Sequence, residues 1–238
     1  MNAVIATLAF AELRHAPVAG RILTVEASAA ETRIVLDGEA VDAAPLVALA
    51  YGVAETGAGS VVVVGQAPAG PAIWFPALAA DVAGPLVALP AAPVSRPVCP
   101  APDRCLVALA DGALAEVSEA GVTSTTTVWG AASGYEAVPR GVLLEATEDV
   151  VFVGGLDGLL VRRPLWGAGA DDDIAALDAR PVPGLVRSTA DGAVWFLTQA
   201  GSLYAWVPDA AEPTRVVVGA AAVRGGLVPH PSRDDVLF

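Results

Sequence analysis

The chain has 238 residues and a net charge of −13, from 26 acidic residues against 13 basic ones. A surface this acidic repels phosphate backbones, which argues against nucleic acid as a partner. Hydrophobic residues make up 55% of the chain, yet no run reaches the ~18 consecutive apolar residues that a membrane-spanning helix needs.

All 13 basic residues are arginine. With the heavy use of Ala, Val, Gly and Pro, this fits coding in a GC-rich bacterial genome, an expectation about origin and not about function. The N-terminal segment MNAVIATLAFAELRHA is apolar from Ala3 to Ala11 with no Lys or Arg before it. It reads as a first strand, Ala3 to Phe10, and not as a signal peptide. Arg21 to Glu26 and Thr32 to Leu36 are two further apolar strands.

From Pro45 onward the sequence repeats. A short apolar strand, a glycine turn and a second strand recur, with Val61, Leu106, Val150, Val194 and Val236 as equivalent positions and intervals of 45, 44, 44 and 42 residues. A period of roughly 40 to 50 residues built from short strands points to a β-propeller, one four-stranded blade per repeat. The first full repeat reads PLVALAYG, SVVVVG, AIWFP and PLVALP. The second reads RPVCPAP, LVALA, ALAEVS and VTSTTTVW. The third reads GVLLEAT, VVFVGG, LLVRRPLW and a weaker strand near Ile174 to Ala179. The fourth reads GLVRST, AVWFLT, SLYAWV and TRVVVG. Second strands such as Val61 to Val64 and Leu106 to Ala110 are apolar at every position, which requires cover on both faces. Fourth strands such as TSTTTVW are polar, as an outer edge should be.

The alanine-rich stretches Ala43 to Ala54 and Ala77 to Ala83 are helical on propensity alone and support an α/β alternative. Against it, 19 prolines and 24 glycines fall between the apolar runs and leave little room for helices. The last repeat supplies only GGLVP and DDVLF, which ends at Phe238. We therefore expect one all-β domain over residues 1 to 238, with about five blades. Strands from both termini would close the ring, because an open ring leaves an unpaired edge. Six blades result if residues 1 to 44 form a blade of their own.

The segments DGAVWFLTQAGSLYAWV and EDVVFVGGLDGLLVRRPLW resemble the quinoprotein-like and WD-like propeller superfamilies, over about residues 96 to 238. The Trp-Asp dipeptide of WD repeats is absent, as is a quinone or metal ligand set. The resemblance implies the fold and a scaffold role.

Chemistry is sparse. Cys99 and Cys105, in VCPAPDRC, sit where a first strand turns into a second, so facing positions bring them within disulfide reach. In a cytoplasmic chain, the location expected here, two reduced thiols are the default. No four-ligand zinc spacing exists, with His15 and His230 the only histidines. The run Asp171-Asp172-Asp173 lacks the alternation of a calcium loop and reads as solvated. No G-x-S-x-G occurs, and neither histidine has a serine and acid beside it. Glu145 is the one acid on an inner strand. Trp195, in an apolar second strand, reads as core; Trp129 and Trp166 end strands and pack at the core or rim. We expect no catalytic residue, metal or cofactor, and no enzymatic activity.

A basic repeat remains. Arg96, Arg140 and Arg224, in SRPV, PRGV and VRGGL, each lie two or three residues before an inner strand. In a propeller that place is the mouth of the central channel. Equivalent arginines there suit an anion or an acidic peptide; the alternative is pairing with acids of neighbouring blades. The repeat between Arg140 and Arg224 breaks the pattern, with Pro183 at that place. Turn acids at the opposite end include Asp103, Glu148, Asp149, Asp191, Asp234 and Asp235. The expected function is a scaffold that binds another protein or an acidic peptide, with no nucleic-acid or membrane partner. Small-ligand or glycan binding, or an enzyme site in the channel, are the alternatives.

Overall fold

In a computed structural model of the chain, the described residues are 12–18, 21–27, 32–36, 39–43, 46, 48–55, 61–76, 84–101, 103–128, 143–146, 150–154, 158–165, 173–182, 184–188, 191–219, 221, 227, 229–230 and 233–237. Among them every regular element is a strand. The α/β alternative fails at Ala43 to Ala54, where Ala48–Glu55 is extended. None of the described residues forms a helix long and apolar enough to cross a membrane.

The chain divides into two compact units, Met1–Leu109 with Ala113–Thr125, and Ala110–Gly112 with Thr126–Phe238. The first sheet is β1 (Glu12–Val18), β2 (Arg21–Ala27), β3 (Thr32–Leu36) and β4 (Glu39–Ala43). The second is β5 (Ala48–Glu55), β6 (Val61–Ala67), β7 (Gly70–Trp74) and β8 (Leu86–Ala88). The third is β9 (Val98–Ala101), β10 (Arg104–Ala108), β11 (Ala113–Ser118) and β12 (Gly121–Thr127). In the second unit, β13 (Leu143–Ala146), β14 (Val150–Gly154), β15 (Leu159–Pro164) and β16 (Asp173–Ala176) form the fourth sheet. The fifth is β17 (Val186–Arg187), β18 (Val194–Leu197), β19 (Leu203–Trp206) and β20 (Thr214–Val217). A separate hairpin joins β21 (Pro229–His230) and β22 (Arg233–Leu237).

Every sheet runs up and down in sequence order. Antiparallel neighbours joined by short turns carry the lowest loop-closure cost. Gly112 (φ 85°) and Gly201 (φ 81°) close two of these turns in the left-handed region, where a Cβ is strained. The expectation that N-terminal strands complete the last blade is corrected for two of the three. Arg21 to Glu26 and Thr32 to Leu36 pair with each other in the first sheet, each with a nearer partner in sequence than the hairpin 200 residues on. The third, Ala3 to Phe10, lies outside the described residues.

Sheets pack face to face. In the first unit, Val62, Val64, Ile73, Phe75, Val87 and Leu89 of the second sheet meet Cys105, Val107, Leu109, Ala115 and Val117 of the third. Val63 points to the opposite face of β6 and is fully buried as well, so β6 is covered on both sides, as its unbroken apolar run requires. In the second unit, Phe152, Leu160 and Ala175 meet Val194, Phe196, Tyr204 and Trp206. Phe152 and Trp206 meet edge to face at 5.8 Å between ring centroids, a preferred aromatic geometry. The outer strand β12 is largely exposed, as its threonines predict.

Cys99 and Cys105 are joined by a disulfide. A register shift in the β9–β10 pairing falls between Arg104 and Leu106 and turns Cys105 toward Cys99. The reduced pair expected for a cytoplasmic chain is not what the structure holds. Trp195 is also corrected. Alternation along β18 buries Val194 and Phe196 and leaves Trp195 half-buried on the other face.

Candidate functional site

Of the three arginines singled out by the repeat, Arg96 is described and exposed; Arg140 and Arg224 lie outside the described residues. The segment before Arg96 is fixed to β10. Val94 N–H donates to Ala108 O at 2.8 Å, and Ala108 N–H donates to the buried Ser95 Oγ at 3.0 Å. Pro93 bridges Leu109, as Pro181 bridges Thr198 in the fifth sheet. Counting from these two bridges, the fifth-sheet equivalent of Arg96 is Gly184 and not Pro183. Either way that repeat brings no arginine to the place.

The acids behave differently. Asp103 is exposed in the β9–β10 turn. Asp191 accepts from Ala193 N–H at 3.1 Å. The Ser188 hydroxyl, then this amide, hold its carboxyl below the usual range, so Asp191 organises a turn. Glu148 and Asp149 lie outside the described residues. Asp173 is committed to Arg162, and Asp171 and Asp172 lie outside the described residues. Glu145 is half-buried on β13 opposite Phe152. His230 stands opposite Arg233 in the backbone register of the last hairpin. Among the described residues no group of three or more His, Cys, Asp or Glu is placed to hold a metal ion.

Two polar constellations in the second unit have no signature in the repeat pattern. The first centres on Arg162 of β15. Its Nε donates to Asp173 Oδ2 at 3.1 Å, and its Nη2 donates to the same oxygen at 2.5 Å. Nη1 donates to Val207 O at 3.0 Å and Nη2 to Ala210 O at 2.7 Å. The guanidinium lies 4.6 Å from the Trp206 ring centroid, within cation–π range. Trp206 Nε1 donates to Ala210 O at 2.8 Å. One side chain thus ties the fourth sheet to the end of β19 and the loop after it.

The second centres on Asp178, in the connection from β16 to β17. Thr198 Oγ1 donates to Asp178 Oδ1 at 2.9 Å, and the Ser202 hydroxyl donates to Oδ2. Arg215 Nη1 lies 3.6 Å from Oδ2. Asp178 N–H donates to the Tyr204 hydroxyl at 3.3 Å. Burial pushes the Asp178 carboxyl up, but Ser202, Thr198, Arg215 and Tyr204 outweigh it and hold it below the usual carboxylate range. Ser202 Oγ also accepts from Gly219 N–H at 3.0 Å. A Cβ on Gly219 would overlap the backbone of Ala200, Gly201 and Ser202, so only glycine fits there. Ser202 donates to a carboxylate and accepts from an amide, the bonding of a structural hydroxyl and not of a nucleophile activated by a base.

The up-and-down four-stranded sheets fit a β-propeller-like fold. Solved structures agree. The chain is similar to BBS1N in a crystal structure with ARL6DN soaked with mercury, at 13% identity and TM-score 0.58 over 87% of this chain. It is similar also to BBS1N in the same complex soaked with lead, at 16% identity and TM-score 0.57 over 86% of this chain. The chain spans 66% and 64% of those two chains' lengths. At this identity the likeness concerns the fold. No family model and no curated protein matches the sequence.

Proposed function

We propose that this chain is a non-catalytic β-propeller scaffold, one domain over residues 1 to 238, that binds another protein through an acidic segment. The observation that carries this reading is the fold, four-stranded sheets similar to those of BBS1N, a protein crystallised in complex with ARL6DN. Fold likeness alone does not transfer a partner. The proposed contact is therefore argued from the sequence, with Arg96, Arg140 and Arg224 at one mouth of the ring, where cationic side chains on an acidic chain draw an acidic partner.

Binding of a glutamate-rich, fluorescently labelled peptide tests it. An arginine at a solvent-exposed contact contributes about 1 kcal/mol, so replacing all three by alanine is expected to weaken the peptide about a hundredfold and to flatten the salt dependence. An unchanged affinity in a folded triple variant would return the arginines to pairing between blades.

We further propose that the ring closes through the apolar run Ala3 to Phe10, which adds to the β21–β22 hairpin. A hairpin alone leaves an open edge and is marginal in water. Removing residues 1 to 10 is expected to lower the melting temperature and to speed amide exchange in β22. A truncated protein that melts unchanged and stays monomeric would end the closure idea.

A further inference from the structure

The last strand of a sheet presents unpaired backbone groups, and proteins normally blunt such an edge with charges, hydroxyls or short length. Four of the five fourth strands conform. β4 carries Glu39 and Asp42, β8 has three residues, β12 reads GVTSTTT and β16 begins at Asp173. β20 does not. It reads TRVV and continues into Val218, and Val216, Val217 and Val218 are 49%, 50% and 68% exposed. Leu203 faces Val217 while Tyr204 faces Arg215, so Val216 is an extra residue, a bulge that disturbs alternation along the strand.

This edge is held from both ends by one group. Arg215 reaches Asp178 at 3.6 Å, and Gly219 N–H reaches Ser202, whose hydroxyl donates to Asp178. The three valines are therefore displayed on a strand already ordered, which lowers the entropic cost of docking. Charge selects the occupant. Asp209 and Glu212 are exposed just ahead of β20, while Arg215 is engaged by Asp178. A second copy would bring another −13, so like-charge repulsion opposes self-pairing.

We propose that the outer edge of β20 is a docking site for an extended, apolar segment of a partner protein with basic residues at the end that meets Asp209 and Glu212. The segment adds as a fifth strand. Main-chain hydrogen bonds supply affinity, and its alternate apolar side chains rest on Val216 to Val218. The residues of this edge include none of Arg96, Arg140 and Arg224, and the acids beside it are opposite to them in sign.

The probe is a synthetic valine–threonine peptide with two arginines at one end. Two controls replace the arginines by glutamates or the central valine by proline. The arginine-flanked peptide is expected to bind the full chain, and each control to bind at least about tenfold more weakly. The double variant Val217→Lys/Val218→Lys, at exposed positions, is expected to melt like the wild type and to lose at least about tenfold in affinity. The triple arginine-to-alanine variant should bind this peptide unchanged, which separates this site from the proposed mouth. No binding up to about 1 mM, equal binding of the three peptides, or equal binding by the folded lysine variant would overturn the proposal. So would a concentration-dependent dimer that Val217→Lys abolishes, since the occupant would then be a second copy.

Discussion

Arg162→Ala is expected to destabilise the second unit by about 3 kcal/mol. The side chain is 11% exposed and makes four hydrogen bonds as well as the stacking on Trp206. Its removal opens the Asp173 carboxylate, 39% exposed, to water, while Val207 O keeps Ala210 N–H at 3.2 Å and Ala210 O keeps Trp206 Nε1; the loss is that of the charged bonds and the stacking. For a chain of this length the loss corresponds to a fall of roughly 6–12 °C in melting temperature. Arg162→Lys should recover less than half, because an ammonium cannot reproduce the planar fork or the flat stacking. Urea unfolding followed by tryptophan fluorescence measures both. A change within about 0.5 kcal/mol for the alanine variant, the range of an ordinary surface substitution, would show that the clasp carries no net energy. The double variant with Asp173→Ala isolates the ion pair from the two carbonyl contacts.

Asp178→Ala is expected to cost about 2–3 kcal/mol, since Thr198, Ser202 and Arg215 lose a shared charged acceptor. The pH dependence has a definite sign. The folded-state carboxyl is held below its usual value. Its contribution is therefore fully present above the unfolded pKa of about 4 and is lost as pH falls through the lower folded value. Wild-type melting temperature should drop on acidification below about pH 4, and Asp178→Asn should show a shallower drop over the same window. Amide exchange localises the effect: Val217 and Gly219 should exchange faster in the alanine variant, because both ends of β20 are tied to this carboxylate. Equal pH profiles for wild type and Asp178→Asn would mean that other acids govern the acid limb. Unchanged exchange along β20 would separate the network from the edge it is argued to hold.

Much of the fold is legible along the chain because its signals are local. Val61 to Val64 and Leu106 to Ala110 are unbroken apolar runs, and each lies in a central strand paired to its sequence neighbour, although Gly65 continues β6 to Ala67 where the sequence reads as a turn. Gly112 and Gly201 sit in turns that need a positive φ, and the threonines of β12 face solvent. Two strands carry no such signal. β1, ELRHAPV, mixes charge with a proline, and β4, EAVDA, is acidic. They are strands because β2 and β3 offer them open edges.

The polar constellations are illegible for a different reason. Arg162 lies 45 and 48 residues from the carbonyls of Val207 and Ala210, and Asp178 lies 20 and 24 residues from the hydroxyls of Thr198 and Ser202. The 45-residue separation is the repeat period, which makes β15 and β19 equivalent strands but does not say which side chain crosses between them; the separations from Asp178 match no period. The sequence by itself determined the repeat, the up-and-down hairpins and the polar outer strand β12, because backbone pairing and turn chemistry act between near neighbours. Only the tertiary structure decided that residues 12–43 make a sheet of their own, that Arg162 and Asp178 become hubs, and that the valines of β20 are left exposed. Those outcomes depend on which faces meet once sheets stack, and burial between stacked faces is a property of the packed assembly that the order of residues along one strand does not encode.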